Sequence, residues 1–180
     1  MSVLGALAGP ALAVRDRLAW ASMVDAGVGA RVRGHVWVHG GGIVRLGDRV
    51  VLDARRAPIE LRASRGAELI IGEDTIVEGG ASIEALRSVQ IGPRCFIGAW
   101  SKVLDNHFHP LRGDRRDRID SDPVEIGSDV LIGERCVVLP GTRLENSVRL
   151  GHGVVIGRNV PTGVHLEGSP PRRVQGGIRS

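Results

Sequence analysis

The chain has 180 residues, enough for one domain with a sizeable core, and at 42% hydrophobic it is not disordered by composition. Aromatic residues make up only 3%, with no Tyr, so the interior must be aliphatic, which suits a narrow, regularly layered core. The net charge of +4 is carried almost wholly by Arg spread among acids, and aromatic platforms for bases are scarce; both features argue against a nucleic-acid partner.

The first fourteen residues, MSVLGALAGPALAV, have the apolar look of a secretory leader. They lack a basic start, are broken by Gly5, Gly9 and Pro10, and are too short to span a bilayer. Residues 1–30 are therefore read as an N-terminal arm, part helical from Leu12 to Met23, with a leader as the alternative. Strand-like alternation follows over 31–62, at Val32, Val36 and Val38 and then at Ile43, Leu46, Val50 and Leu52, with turns at Gly40-Gly41-Gly42 and Gly47-Asp48.

From 69 to 104 a six-residue period sets in, at Ile71, Val77, Ile83 and again at Ile91, Ile97, Val103, with two extra residues near Arg87-Ser88. It stops over 105–122 and restarts as Ile126, Ile132, Val138, Leu144, Leu150, Ile156. Four residues after each of these comes a second inward type: Val130, Cys136, Thr142, Val148, Val154, Val160. A short fixed period is the mark of a solenoid, in which each repeat buries its apolar face only against its neighbours. Each hexad is one short strand and one turn, and three of them close a triangular coil. The expected fold is an all-β solenoid over 31–166, with a loop extruded from one corner at 105–122 and a tail at 167–180. Gly, at 26 residues, is expected at the tight turns. Cys95 and Cys136 fall on inward positions, which predicts buried thiols in a reduced, cytoplasmic setting, with no CxxC pair for zinc.

Insertions on a solenoid gather on one face and are often where binding occurs. This one begins Asp105-Asn106-His107-Phe108-His109-Pro110. His takes a proton near neutral pH, so His107 or His109 could act as a general base on a substrate hydroxyl. His-x-His could equally be half of a metal site, although no third ligand at suitable spacing is visible. A histidine bonded within its own loop is the plain structural alternative.

The D-N-H-F-H-P loop, the restart P-V-E-I-G-S-D-V-L-I-G, the run V-V-L-P-G-T-R-L and the tail G-S-P-P-R-R-V, in that order on the repeats, resemble the hexapeptide-repeat acyltransferases. Nearest are the sugar O-acetyltransferases similar to the maltose and galactoside enzymes and to polysaccharide-pathway members. The resemblance covers about residues 30 to 174. It implies a left-handed parallel β-helix, a homotrimer, and acetyl-CoA held between subunits without metal. His109, the His before Pro, matches the family's general base, with His107 and Asp105 beside it at the acceptor. Glu134 falls where a backbone N–H meets the thioester carbonyl. His152 and Gly157 fall where main chain lines the cofactor groove, and Arg158 and Arg172 match basic residues near its phosphates. Two departures stand out. The family's W-I-G is Leu131-Ile132-Gly133 here, and an acceptor-positioning Asn aligns with Glu78.

The reaction so implied is direct acetyl transfer to a hydroxyl of a sugar or saccharide-like acceptor, with no membrane span. An amino-sugar N-acetyltransferase is the runner-up. A γ-type carbonic anhydrase and a non-catalytic scaffold are rivals on the same repeat.

Overall fold

The computed structural model describes residues 23–107 and 121–173. Its strands, in chain order, are β1 (Val24–Ala26), β2 (Arg31–His39), β3 (Ile43–Leu46), β4 (Val51–Ala63), β5 (Glu68–Ile71), β6 (Ile76–Glu78), β7 (Ser82–Ala85), β8 (Ser88–Ile91) and β9 (Phe96–Ile97). They continue with β10 (Lys102–Leu104), β11 (Val124–Ile126), β12 (Leu131–Ile132), β13 (Val137–Val138), β14 (Arg143–Leu144), β15 (Arg149–Leu150), β16 (Val155–Ile156), β17 (His165–Glu167) and β18 (Arg172–Arg173). Nearly all pairings are parallel and join one coil to the next; among the strands of the described residues, β17 and β18 alone pair antiparallel.

Three faces result. The first stacks β1, β3, β5, β8, β11 and β14. The second stacks the front of β4 with β6, β9, β12, β15 and β17. The third stacks the back of β4 with β7, β10, β13 and β16. Strands β2 and β4 turn the corner between the second and third faces without a break, and their register shifts between Gly34 and Val36. The stack begins at β1, inside the stretch read as an arm; the expected helix before it lies outside the described residues, apart from Met23.

The hexad positions are the core. Ile126, Ile132, Val138, Leu144, Leu150 and Ile156 are buried, and so are Val130, Cys136, Thr142, Val148, Val154 and Val160. Inward polar atoms are satisfied by the next coil. Thr75 Oγ1 donates to the Gly92 carbonyl at 3.0 Å and Ser101 Oγ to that of Gly133 at 2.8 Å. The thiols do the same, Cys95 to Gly127 at 3.1 Å and Cys136 to Gly151 at 3.0 Å. Burial raises both thiols above their ordinary range. They are free, protonated wall residues and not nucleophiles.

Glycine takes left-handed turn positions as expected, at Gly29, Gly80, Gly141, Gly153 and Gly163 among others. At the corner between the first and second faces, however, the left-handed positions between Gly29 and Gly163 are held by Arg49, Asp74, Arg94, Asp129 and Ser147, with φ of 55 to 59°. Such a φ costs about 1 kcal/mol or more for a residue with a Cβ. Side-chain pairing along the stack offsets part of it: Arg49 forks onto Asp74 at 2.7 and 2.6 Å, and Arg94 onto Asp129 at 2.7 and 2.8 Å. These guanidiniums hold both carboxyls below the usual range.

The glycines sit two residues earlier, at Gly47, Gly72, Gly92 and Gly127, for a different reason: coils approach too closely there for a side chain. A Cβ on Gly92 would lie 2.5 Å from the Gly127 carbonyl oxygen. Backbone cannot yield as a flexible side chain can, so Gly92→Ala is expected to destabilise by about 1–3 kcal/mol. A thermal melt checks this, and an unchanged midpoint would show that the coils can spread.

Candidate functional site

Side chains alternate in and out along each strand, so a period that points every sixth residue inward also writes columns on the outside. On the second face Phe96, Leu131, Arg149 and His165 stand in register on consecutive coils. Two residues on, the outward column is bare at Gly98, Gly133 and Gly151 and ends at Glu167. Here too the glycines reflect close stacking, since a Cβ on Gly133 would meet the Gly151 carbonyl carbon at 2.9 Å. The bare column and its flanks form a groove of about 500 Å³ running along the stack. Leu131, the aliphatic departure from the resemblance, is 41% exposed on its wall, with Phe96 one coil before it.

Glu78, Glu134 and His152 come together in this groove. The Glu134 backbone N–H, expected to be open to a thioester oxygen, donates to His152 Nδ1 at 3.0 Å. That contact puts the proton of a neutral His152 ring on Nε2. The Glu134 carboxylate pairs at 3.8 Å with Arg56, which comes from the corner within β4. Glu78 is turned onto the next coil, its Oε2 accepting from the Ala99 N–H at 3.1 Å. Trp100 packs against Gly80 at the same corner and is 51% exposed.

The extruded loop leaves from a different corner, between the third and first faces. Leu131 stands over Phe96, 35 residues back, but only 18 residues before Arg149, its partner in the next coil. The neck is pinned where Asp122 N–H donates to the Asp105 carbonyl at 2.9 Å and Asn106 bridges Ser121 antiparallel. Asp105, read from the resemblance as an acceptor contact, has no exposed surface. Its carboxylate accepts from the backbone N–H of Leu86, Arg87 and Ser88 at 2.7, 2.7 and 2.8 Å, and from Ser121 Oγ at 3.2 Å. It fastens the loop to the coil above, which leaves no lone pair facing a substrate. His107 follows the neck and is half-buried; His109 lies outside the described residues.

The remaining predicted positions divide between the two corners. Gly157 and Arg158 follow β16, on the loop's side of the third face, with Gly157 beside Leu139. Arg172, on β18, pairs in register with Glu167 at the end of the groove.

Sequence reading missed a cluster on the third face, one coil before the neck. Ser82 and Glu84 point outward from β7, Glu60 and Arg62 from β4, and His39 from β2. Ser82 Oγ lies 3.1 Å from Glu60 Oε2 and 3.2 Å from Glu84 Oε1. His39 Nε2 is 2.7 Å from Glu60 Oε1, and Arg62 is 3.5 Å from Glu84. Strand alternation marks these residues as outward, but which of them meet depends on the stacking of coils. The groove residues Phe96, Arg149, His165 and Glu167 were missed for the same reason.

Residues 123–158 match the bacterial transferase hexapeptide (six repeats) family. A probable acetyltransferase of Mycobacterium tuberculosis, Rv3034c, is 26% identical over 139 residues, covering 77% of this chain and 42% of that protein. The chain thus spans less than half the length of the curated relatives it matches. Among solved structures, the polysialic acid O-acetyltransferase OatWY superposes with a TM-score of 0.65 at 19% identity, over 87% of this chain and 77% of that one. A galactoside acetyltransferase in complex with coenzyme A gives 0.57 at 23% identity, over 80% of this chain and 63% of that one. Residues 123–158 carry the bacterial transferase hexapeptide repeat, and the stack has the fold of those acetyltransferases.

Proposed function

We propose that this protein is an acetyl-CoA-dependent O-acetyltransferase acting on a saccharide hydroxyl, built as a left-handed β-helix and working as a homotrimer with its sites between subunits. One observation carries the reading: the groove and the neck of the histidine loop lie at different corners of one coil stack, with the whole third face between them. A site that needs both is completed when the groove of one subunit meets the loop of another.

In this reading acetyl-CoA lies along the groove, its arm over the glycine column. Arg149 and Arg172 stand by its phosphates there, and Arg158 and Gly157 serve from the loop's corner. His109 removes the proton of the acceptor hydroxyl as that oxygen attacks the thioester carbonyl. The C–S bond breaks and the proton passes to the departing sulfur. His152 must turn off the Glu134 N–H before that donor can meet the tetrahedral oxyanion; its exposed ring has room to do so. Holding both substrates in one site supplies the rest of the acceleration. The names of the matched proteins, several of them acetyltransferases, support the same chemistry. The acetyl-CoA supply and two buried free thiols favour the cytoplasm.

The carboxylates of Glu60 and Glu84 also favour a second acceptor, an amino sugar, whose ammonium they would hold. The test is release of CoA from acetyl-CoA against sugars, nucleotide sugars and amino sugars, with the product analysed for ester or amide. Turnover with a saccharide hydroxyl supports the proposal, and amide product moves it to the second reading. Failure of the purified protein to bind CoA overturns both and leaves a scaffold.

A further inference from the structure

The cluster on the third face is rich in acceptors and short of donors. Ser82 has one hydroxyl proton and two carboxylates at 3.1 and 3.2 Å, so one contact lacks a hydrogen. Glu84 is nine-tenths buried, and its other partner, Arg62, is at the long distance of 3.5 Å. Glu60 has His39 as its second partner. A carboxylate offers about four lone-pair sites, so two of them with these few donors retain capacity for several more N–H or O–H groups. A ligand dense in hydroxyls would satisfy them.

An exposed aromatic ring completes the surface. Trp37, on the outward side of β2, is 52% exposed and stands in register with Glu60, which stands in register with Ser82, and Ser82 with Lys102. Its ring meets His35 edge-on at 5.7 Å, which holds it upright on the face. Trp37 and Lys102 are three strand spacings apart, about 14 Å. The column therefore runs from an aromatic platform, past the carboxylates, to the strand that leads directly into the loop neck. That is the length of a short oligosaccharide rather than one ring. Alternating a flat apolar platform with carboxylate acceptors matches the apolar ring faces and hydroxyl rims of sugars.

We propose that the outer surface of the third face, from Trp37 through Glu60, Ser82 and Glu84 to the loop neck, is an extended subsite for an oligosaccharide acceptor, with Trp37 stacking on a sugar unit remote from the reacting hydroxyl. The assignment rests on the saccharide reading above, and it adds that the acceptor is a chain.

Two measurements test it. The first is calorimetric titration with maltooligosaccharides and chitooligosaccharides of one to six units, without acetyl-CoA. Binding is expected to tighten with length in the wild type, the length effect to vanish in Trp37→Ala, and most of it to return in Trp37→Phe. The second is CoA release over the same series. Trp37→Ala should raise KM for the longer acceptors about tenfold, as for the loss of one stacked ring, with kcat and the shortest acceptor unchanged. Length-dependent binding without turnover would keep the strip and sink the acetyl-transfer reading. Turnover with no dependence on length, or an equal loss at every length, would overturn the strip. A Trp37→Ala protein that changes mass on a sizing column would show that the face is a subunit contact, and would also overturn it.

Discussion

His109→Ala is expected to lower kcat for acetyl transfer by about 10²–10⁴-fold, the usual contribution of a positioned general base, while KM for acetyl-CoA stays within a small factor. The reason lies in the division of the site. The groove that would hold the cofactor is built by the second face, from Phe96, Leu131, Arg149 and the bare glycine column, and His109 belongs to a loop that leaves a different corner. Removing the imidazole leaves the groove intact. The measurement is CoA release at saturating acceptor across pH. The wild type should gain activity as the base loses its proton, and the variant should lose that limb. Full activity in the variant would remove His109 from the chemistry. Loss of acetyl-CoA binding together with kcat would mean that the loop builds the groove.

Asp105→Ala is expected to cost about 3–5 kcal/mol, the penalty of breaking a buried, charge-assisted hydrogen-bond network. Three backbone N–H groups, of Leu86, Arg87 and Ser88, now end on its carboxylate at 2.7 to 2.8 Å within a site closed to water. With alanine they have no partner there, and Ser121 loses its tie to the neck. For a chain of this size the melting midpoint should fall by about 10 °C or more. Asp105→Asn keeps one oxygen for these donors but turns an N–H₂ toward the rest, so its loss should be intermediate. Activity should fall as well, because the segment carrying His109 starts one residue past the pinned pair Asp105 and Asn106. A midpoint within two degrees of wild type would show that the neck holds without the carboxylate. An unchanged melt with a large rise in acceptor KM would return Asp105 to substrate contact.

The contrast between Asp105 and His152 shows what a linear reading can and cannot reach. Both were placed by resemblance, at the acceptor and along the cofactor groove. His152 lies on the wall of the second-face groove, where one coil's corner meets the next. Asp105 does not face outward, because the 86–88 turn of the preceding coil happens to aim its N–H groups at it. Nothing in the spacing between residues 86 and 105 states that aim. It depends on how the two extra residues near Arg87 bend that corner.

The sequence by itself determined the inward ladder. A hydrophobic residue every sixth position, with a second small or branched one four residues on, is a one-dimensional rule, and every residue from Ile126 to Val160 that obeys it is buried. The interruption at 105–122 was equally legible, since the period simply stops. Tertiary structure alone decided what stands beside what on the outside. Outward side chains meet across coils 16 to 35 residues apart, and the offset changes wherever a corner is lengthened, as at 55–58 or at the neck. Thus Arg56 reaches Glu134, Ser82 lies between Glu60 and Glu84, and Trp37 heads a column that passes through Lys102. Burial follows a local pattern, whereas surface neighbourhood follows the summed lengths of the coils, and that sum is realised only when they stack.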